Sequence, residues 1–147
     1  MSKIKITLAI AASYFIFAIL LNSVGTVILQ TINTLGVSKT EASVLEGFKD
    51  LSIAIMSFVV ASFIPRLGYK LAMLLALIVV AIACLSTAVI SDFYMFKVLF
   101  AAVGCGFAVV KVSVYSIIGQ VTEDANSHSS LLNTIEGIFM VGVLSGY

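Results

Sequence analysis

Apolar runs alternate with short polar breaks along the whole chain, covering residues 4–30, 40–64, 71–90, 93–121 and 131–147. A helix needs about 20 apolar residues to cross the hydrocarbon core of a bilayer. The pattern therefore predicts an all-helical membrane bundle of about five spans. In the first run the polar positions are confined to the far end, where Asn22, Thr26, Gln30 and Asn33 recur at helical spacing and fall on one face. That face is expected to meet protein or water rather than lipid. It can serve helix-to-helix hydrogen bonding, worth only about 0.6 kcal/mol per bond in membranes, or a solute path through Asn22.

Ser38-Lys39-Thr40-Glu41 has the spacing of a capping box, in which side chains satisfy the unpaired N–H groups at a helix start. The second helix is expected to begin there and to stop by Ile64, because Pro65 disfavours helical geometry at the residue before it. Within it Glu46, Lys49 and Asp50 stand three and four residues apart, close enough to neutralise one another. Asp50 is the deepest of the three, roughly 17 Å along the helix from Lys39, and is the functional candidate among them. The turn 65–70 is so short that the second and third helices must be antiparallel neighbours. Ser91-Asp92 forms the next turn, with side chains suited to cap the fourth helix.

The run 93–121 carries Lys111 well inside it. A charge at that depth is expensive and marks a functional position facing a bundle interior or a wet cavity. On the same face lie Lys97, Ala101, Gly104, Ala108 and Tyr115, whose small members permit close helix approach. The stretch 122–130 (TEDANSHSS) reads as a polar loop, with His128 a solvated loop residue, and the fifth helix is expected from Leu131 with Asn133, Glu136 and Gly137. Measured from that loop, Lys111 is about 14 Å deep and Glu136 about 9 Å. An ion pair between them would relieve two costly charges together. Such a pair could be purely structural, or could also bind substrate or carry a proton.

Composition agrees with a membrane protein: 61% of residues are hydrophobic and 10% charged, against about 25% charged in soluble domains, and mean hydropathy is +1.20. The net charge of +1 comes with no basic tract, which argues against a nucleic-acid partner. Cys84 and Cys105 lie in separate apolar runs and imply neither a disulfide framework nor a metal site. No nucleophile with its base, ligand cluster or phosphate loop appears, so neither an enzyme nor a cofactor is expected. Lys3, Lys5, Arg66 and Lys70 flank one side of the bundle and Lys39 the other, which predicts a cytoplasmic amino terminus in a cell (inner) membrane.

Residues 61–70 (ASFIPRLGYK) resemble the loop 2-3 motif of the major facilitator superfamily, G-x-x-x-D-R-x-G-R-K, with Arg66, Gly68 and Lys70 matching. Ala61, Pro65 and Tyr69 replace the glycine, the acid and one base. Within that superfamily the chain looks most like the fucose/proton symporter group, through Leu21-Asn22-Ser23, Glu41-Ala42-Ser43, Tyr69-Lys70 and Gly104-Cys105-Gly106-Phe107. Ser23, and Val109 with Val110, stand where that group has functional acids, so its sugar specificity and proton acceptor do not carry over. The resemblance implies the amino-terminal portion of a secondary transporter, completed by a carboxy-terminal half beyond Tyr147. It would move a small polar or anionic solute by alternating access, with proton coupling as an open question. Arg66, Gly68 and Lys70 would be gating residues; Asn22, Asp50, Lys111, Tyr115, Asn133 and Glu136 are the candidates for substrate or coupling. The competing reading is a membrane scaffold or assembly protein, in which the polar residues only join helices.

Overall fold

The computed structural model describes residues 2–146, which form six helices: α1 (Lys3–Asn22), α2 (Val24–Leu35), α3 (Lys39–Leu67), α4 (Tyr69–Val89), α5 (Phe93–Val121) and α6 (Ala125–Ser145). The first predicted span is thus longer than expected and is interrupted at Ser23, whose hydroxyl donates to the Ile19 carbonyl at 2.8 Å. Such back-bonding competes with the helical ladder and bends helices. Taken together, α1 and α2 form one candidate span, and α3, α4 and α5 give three more, so four segments among the described residues are long and apolar enough to cross a membrane. The expected fifth, α6, is not among them, because Asn133, Glu136 and a polar first turn dilute its hydropathy.

The capping box forms as the sequence predicts. Glu41 N–H donates to Ser38 Oγ at 3.2 Å, and Ser38 N–H donates to Glu41 Oε2 at 3.0 Å. The other end of α3 differs from expectation, since the helix runs through Pro65 to Leu67. Pro65 is exposed, which leaves room for its ring, and it sits in the last turn, where only one ladder bond is lost. Gly68 makes the actual stop. Its φ of 91° suits a residue without a Cβ, and α4 begins at the next residue. Asp92 precedes α5 as expected, but its side chain makes no cap bond.

The stretch 122–130 is mostly helical, contrary to its reading as a loop. Asp124 caps α6, accepting from Ser127 N–H at 3.1 Å, and the polar residues that follow form an exposed first turn. Hydrogen bonding from Ser127, through its hydroxyl and its backbone N–H, holds the Asp124 carboxyl below the usual carboxylate range. Its contribution is therefore complete above the ordinary carboxylate pKa and lost as pH falls through the depressed value. Exchange of the Ser127 amide, corrected for intrinsic rate, is expected to accelerate on acidification in the parent and to stay flat in Asp124→Asn. Equal pH dependence in the two proteins would remove the cap from this account.

α5 is the most buried of the spans and the hub of the bundle, packing on α3 and α4 and more lightly on α1. α1 packs mainly on α6. Two glycines set these close approaches. A Cβ at Gly104 would lie 2.5 Å from the Lys49 carbonyl oxygen, and one at Gly142 would lie 2.7 Å from Ala18 Cβ. The main core joins Ile10, Tyr14 and Phe17 of α1 to Phe107, Val110 and Val114 of α5 and Ile135 of α6. α4 shows the outside of the bundle, with Leu71, Leu74, Leu75, Ile78, Val79, Ile82, Leu85 and Val89 all exposed. A face so uniformly apolar is suited to lipid.

Candidate functional site

Lys3 of α1 and Glu123 after α5 pair at 3.5 Å, so the start of α1 and the α5–α6 turn lie at the same end of the bundle. Depths can be compared from that end. Lys111 lies ten residues before Val121, about 15 Å in, and Glu136 lies twelve residues after Asp124, about 18 Å in, at 1.5 Å per residue. The earlier start of α6 places Glu136 deeper than the sequence reading did. Tyr14, eleven residues from Lys3, is about 17 Å in.

These levels meet in one cluster. Tyr14 and Tyr115 both donate to Glu136 Oε1, at 3.1 and 2.6 Å. Tyr14 is 1% exposed, walled by Phe107 and Phe139 with ring centroids 6.0 and 4.7 Å away, whereas Tyr115 is 39% exposed. The carboxylate thus ties α1, α5 and α6 together at the border between core and open face. Lys111 sits one turn from Tyr115, half-buried, with Nζ 5.8 Å from the Phe107 ring centroid and 5.7 Å from that of Tyr115.

The expected ion pair between Lys111 and Glu136 is not formed among the described residues. Two hydroxyl donors satisfy the carboxylate in its place, and the lysine rests against aromatic faces, an arrangement attractive to a cation. Tyr14 was missed by the sequence reading. Nothing in the sequence singles out its hydroxyl, which follows Ser13 in the first apolar run and meets Glu136 only through the packing of α1 on α6.

The remaining candidates take several positions. Asn133 is exposed on α6, one turn before Glu136. Asp50 is exposed and pairs with Lys49 at 3.3 Å, while Lys49 also reaches Glu46 at 3.8 Å. The mutual neutralisation expected of the trio therefore includes Asp50 itself. Asn22 ends α1, and its Nδ2 is buried without a hydrogen-bond partner among the described residues. Asn22, Gly25, Thr26, Glu46 and Lys49 line a cleft of about 400 Å³ between the first span and α3. Arg66, Gly68 and Lys70 lie together at the α3–α4 turn, at the end that carries Lys3 and away from the tyrosine cluster.

No group of three or more metal-ligating side chains occurs among the described residues. No known protein family, curated protein or solved structure matches the chain.

Proposed function

We propose that the protein works in solute transport, as one bundle of a secondary transporter that moves a small polar or charged solute by rocking against a second bundle. The observation carrying this reading is the set of polar side chains that α2, α3, α5 and α6 leave exposed. Thr26, Glu46, Asp50, Tyr115 and Asn133 are exposed, and Lys111 and Glu136 are half-buried. Ionisable groups inside a membrane are costly unless they line a wet cavity or pair within the protein. α4, with its apolar exterior, is the lipid side, and the charged face is the solute side. The turn holding Arg66, Gly68 and Lys70 is then a gating element at the cytoplasmic end, and the amino terminus lies in the cytoplasm, as the lysine and arginine asymmetry favours. The similarity to the major facilitator superfamily in residues 61–70 supports the same reading.

Cysteine accessibility tests it. In a background with Cys84→Ala and Cys105→Ala, Asp50→Cys and Asn133→Cys are expected to react in intact membranes with a membrane-impermeant maleimide, and Ile78→Cys is not. Asn133→Cys should be reached from either side of the membrane, in proportions that a transported solute shifts. Protection of both polar-face positions under all conditions would favour a scaffold whose polar face is permanently covered.

A further inference from the structure

Glu136 and Lys111 each keep one charged atom in reserve. Both tyrosine hydroxyls donate to the same carboxylate oxygen, Oε1, and no group among the described residues donates to Oε2. Lys111 Nζ makes no hydrogen bond or ion pair among the described residues. Yet neither atom is sealed away, for among the described residues the buried side-chain atoms lacking a partner are Asn22 Nδ2 and Ser113 Oγ. An accessible anionic oxygen, on the carboxylate that Tyr115 donates to, and an accessible ammonium, 5.7 Å from the Tyr115 ring centroid, thus meet at Tyr115. They stand more than the 4.0 Å of an ion pair apart, so they do not satisfy each other.

We propose that Lys111, Tyr115 and Glu136 form a binding site for a zwitterionic amino acid with an apolar side chain, whose carboxylate meets Lys111 and whose ammonium meets Glu136 Oε2. The assignment rests on the transport reading in taking the open polar face as the solute face. Opposite fixed charges select for a ligand carrying both signs. A simple anion would gain the lysine and face repulsion from Glu136, and a simple cation would meet the reverse. The tyrosine hydroxyls are positioning groups, since by occupying Oε1 they fix the carboxylate and aim Oε2. Gly137, where an added Cβ would meet nothing within 4 Å, leaves open space on the helix next to Glu136, and the Tyr115 ring, 39% exposed, supplies apolar surface for the ligand's body.

Three probes sharing one body separate the possibilities: L-phenylalanine, 3-phenylpropanoate, which lacks the ammonium, and phenethylamine, which lacks the carboxylate. Binding of each to the purified full chain in detergent, measured by calorimetry, is expected to favour phenylalanine at least tenfold over either analogue. Lys111→Met should erase its advantage over phenethylamine, Glu136→Gln its advantage over 3-phenylpropanoate, and Lys111→Arg should preserve both. If a variant does not fold, the ranking on the parent protein still decides. Equal binding of 3-phenylpropanoate and phenylalanine, or no binding of any probe, overturns the assignment. Phenylalanine binding without flux in proteoliposomes would overturn the transport reading and leave the site standing. Flux of another solute, with no preference among the three probes, would do the opposite.

Discussion

Gly104→Val is expected to remove most of the folded protein, with Gly104→Ala already lowering stability by about 1–3 kcal/mol, the usual range for overpacking a tight interior. The site admits no side chain at the present helix separation. A Cβ there would lie 2.5 Å from the Lys49 carbonyl oxygen and 3.0 Å from Ser52 Cβ. The first of these neighbours is backbone, so relief requires α3 and α5 to move apart at their main contact. Van der Waals contact between helices drives their association in membranes, and separation loses that contact along the whole crossing. The control is Gly119→Ala on the same helix, where an added Cβ meets nothing within 4 Å. Replacing an unconstrained helical glycine gains roughly 0.5–1 kcal/mol, so the two changes should have opposite signs. Denaturation midpoints in mixed detergent would measure both, and a Gly104→Ala protein as stable as the parent would mean that α3 and α5 can separate at little cost.

The close crossing was legible in the sequence because Ala101, Gly104 and Ala108 recur at helical spacing on the helix that carries Lys111. Helix α5 was equally plain, since Asp92 and Thr122 bracket a predominantly apolar run whose only charges are Lys97 and Lys111, and the observed boundaries coincide with it. The Ser38 and Glu41 box was legible for a local reason, as both partners lie within one turn. What failed involved competition between signals. The run 122–130 is polar enough to pass for a loop, and the capping value of Asp124 was hidden by neighbours of the same polarity. Pro65 carries a stop signal in sequence, but its exposed position in a last turn removes most of the penalty, and Gly68 sets the boundary instead. The charge site failed at long range. Lys111 and Glu136 were seen because charges stand out in apolar sequence, and pairing them was the simplest electrostatic solution. A tyrosine in an apolar helix carries no such flag, and Tyr14 lies 122 positions from the carboxylate that its hydroxyl meets.

That distant contact yields the second large effect. Tyr14→Phe removes one donor from a carboxylate, and hydrogen bonds to charged groups are worth about 1.5–3 kcal/mol. Glu136→Leu strands the Tyr14 hydroxyl at a site only 1% exposed, where an unsatisfied polar group costs about 1–3 kcal/mol. Each single change should therefore lower the folded yield. The double variant Tyr14→Phe with Glu136→Leu should be less damaged than the sum of the two, because neither partner is left to lose anything further. Groups in direct contact show coupling of about 0.5–3 kcal/mol, whereas separate groups add to within about 0.5 kcal/mol. Lys111→Met combined with Glu136→Leu is expected to fall in the additive class, since the tyrosines occupy the place an ion pair would have taken. Denaturation midpoints of all the single and double variants in one detergent give both cycles. Strong coupling of Lys111 to Glu136, with none between Tyr14 and Glu136, would restore the ion pair as the organising contact and move the carboxylate from the tyrosines to the lysine. With coupling on the tyrosine side and additivity on the lysine side, the carboxylate is a structural tie through Oε1. The lysine is then held in place by its aromatic neighbours, and its charge remains available to a ligand.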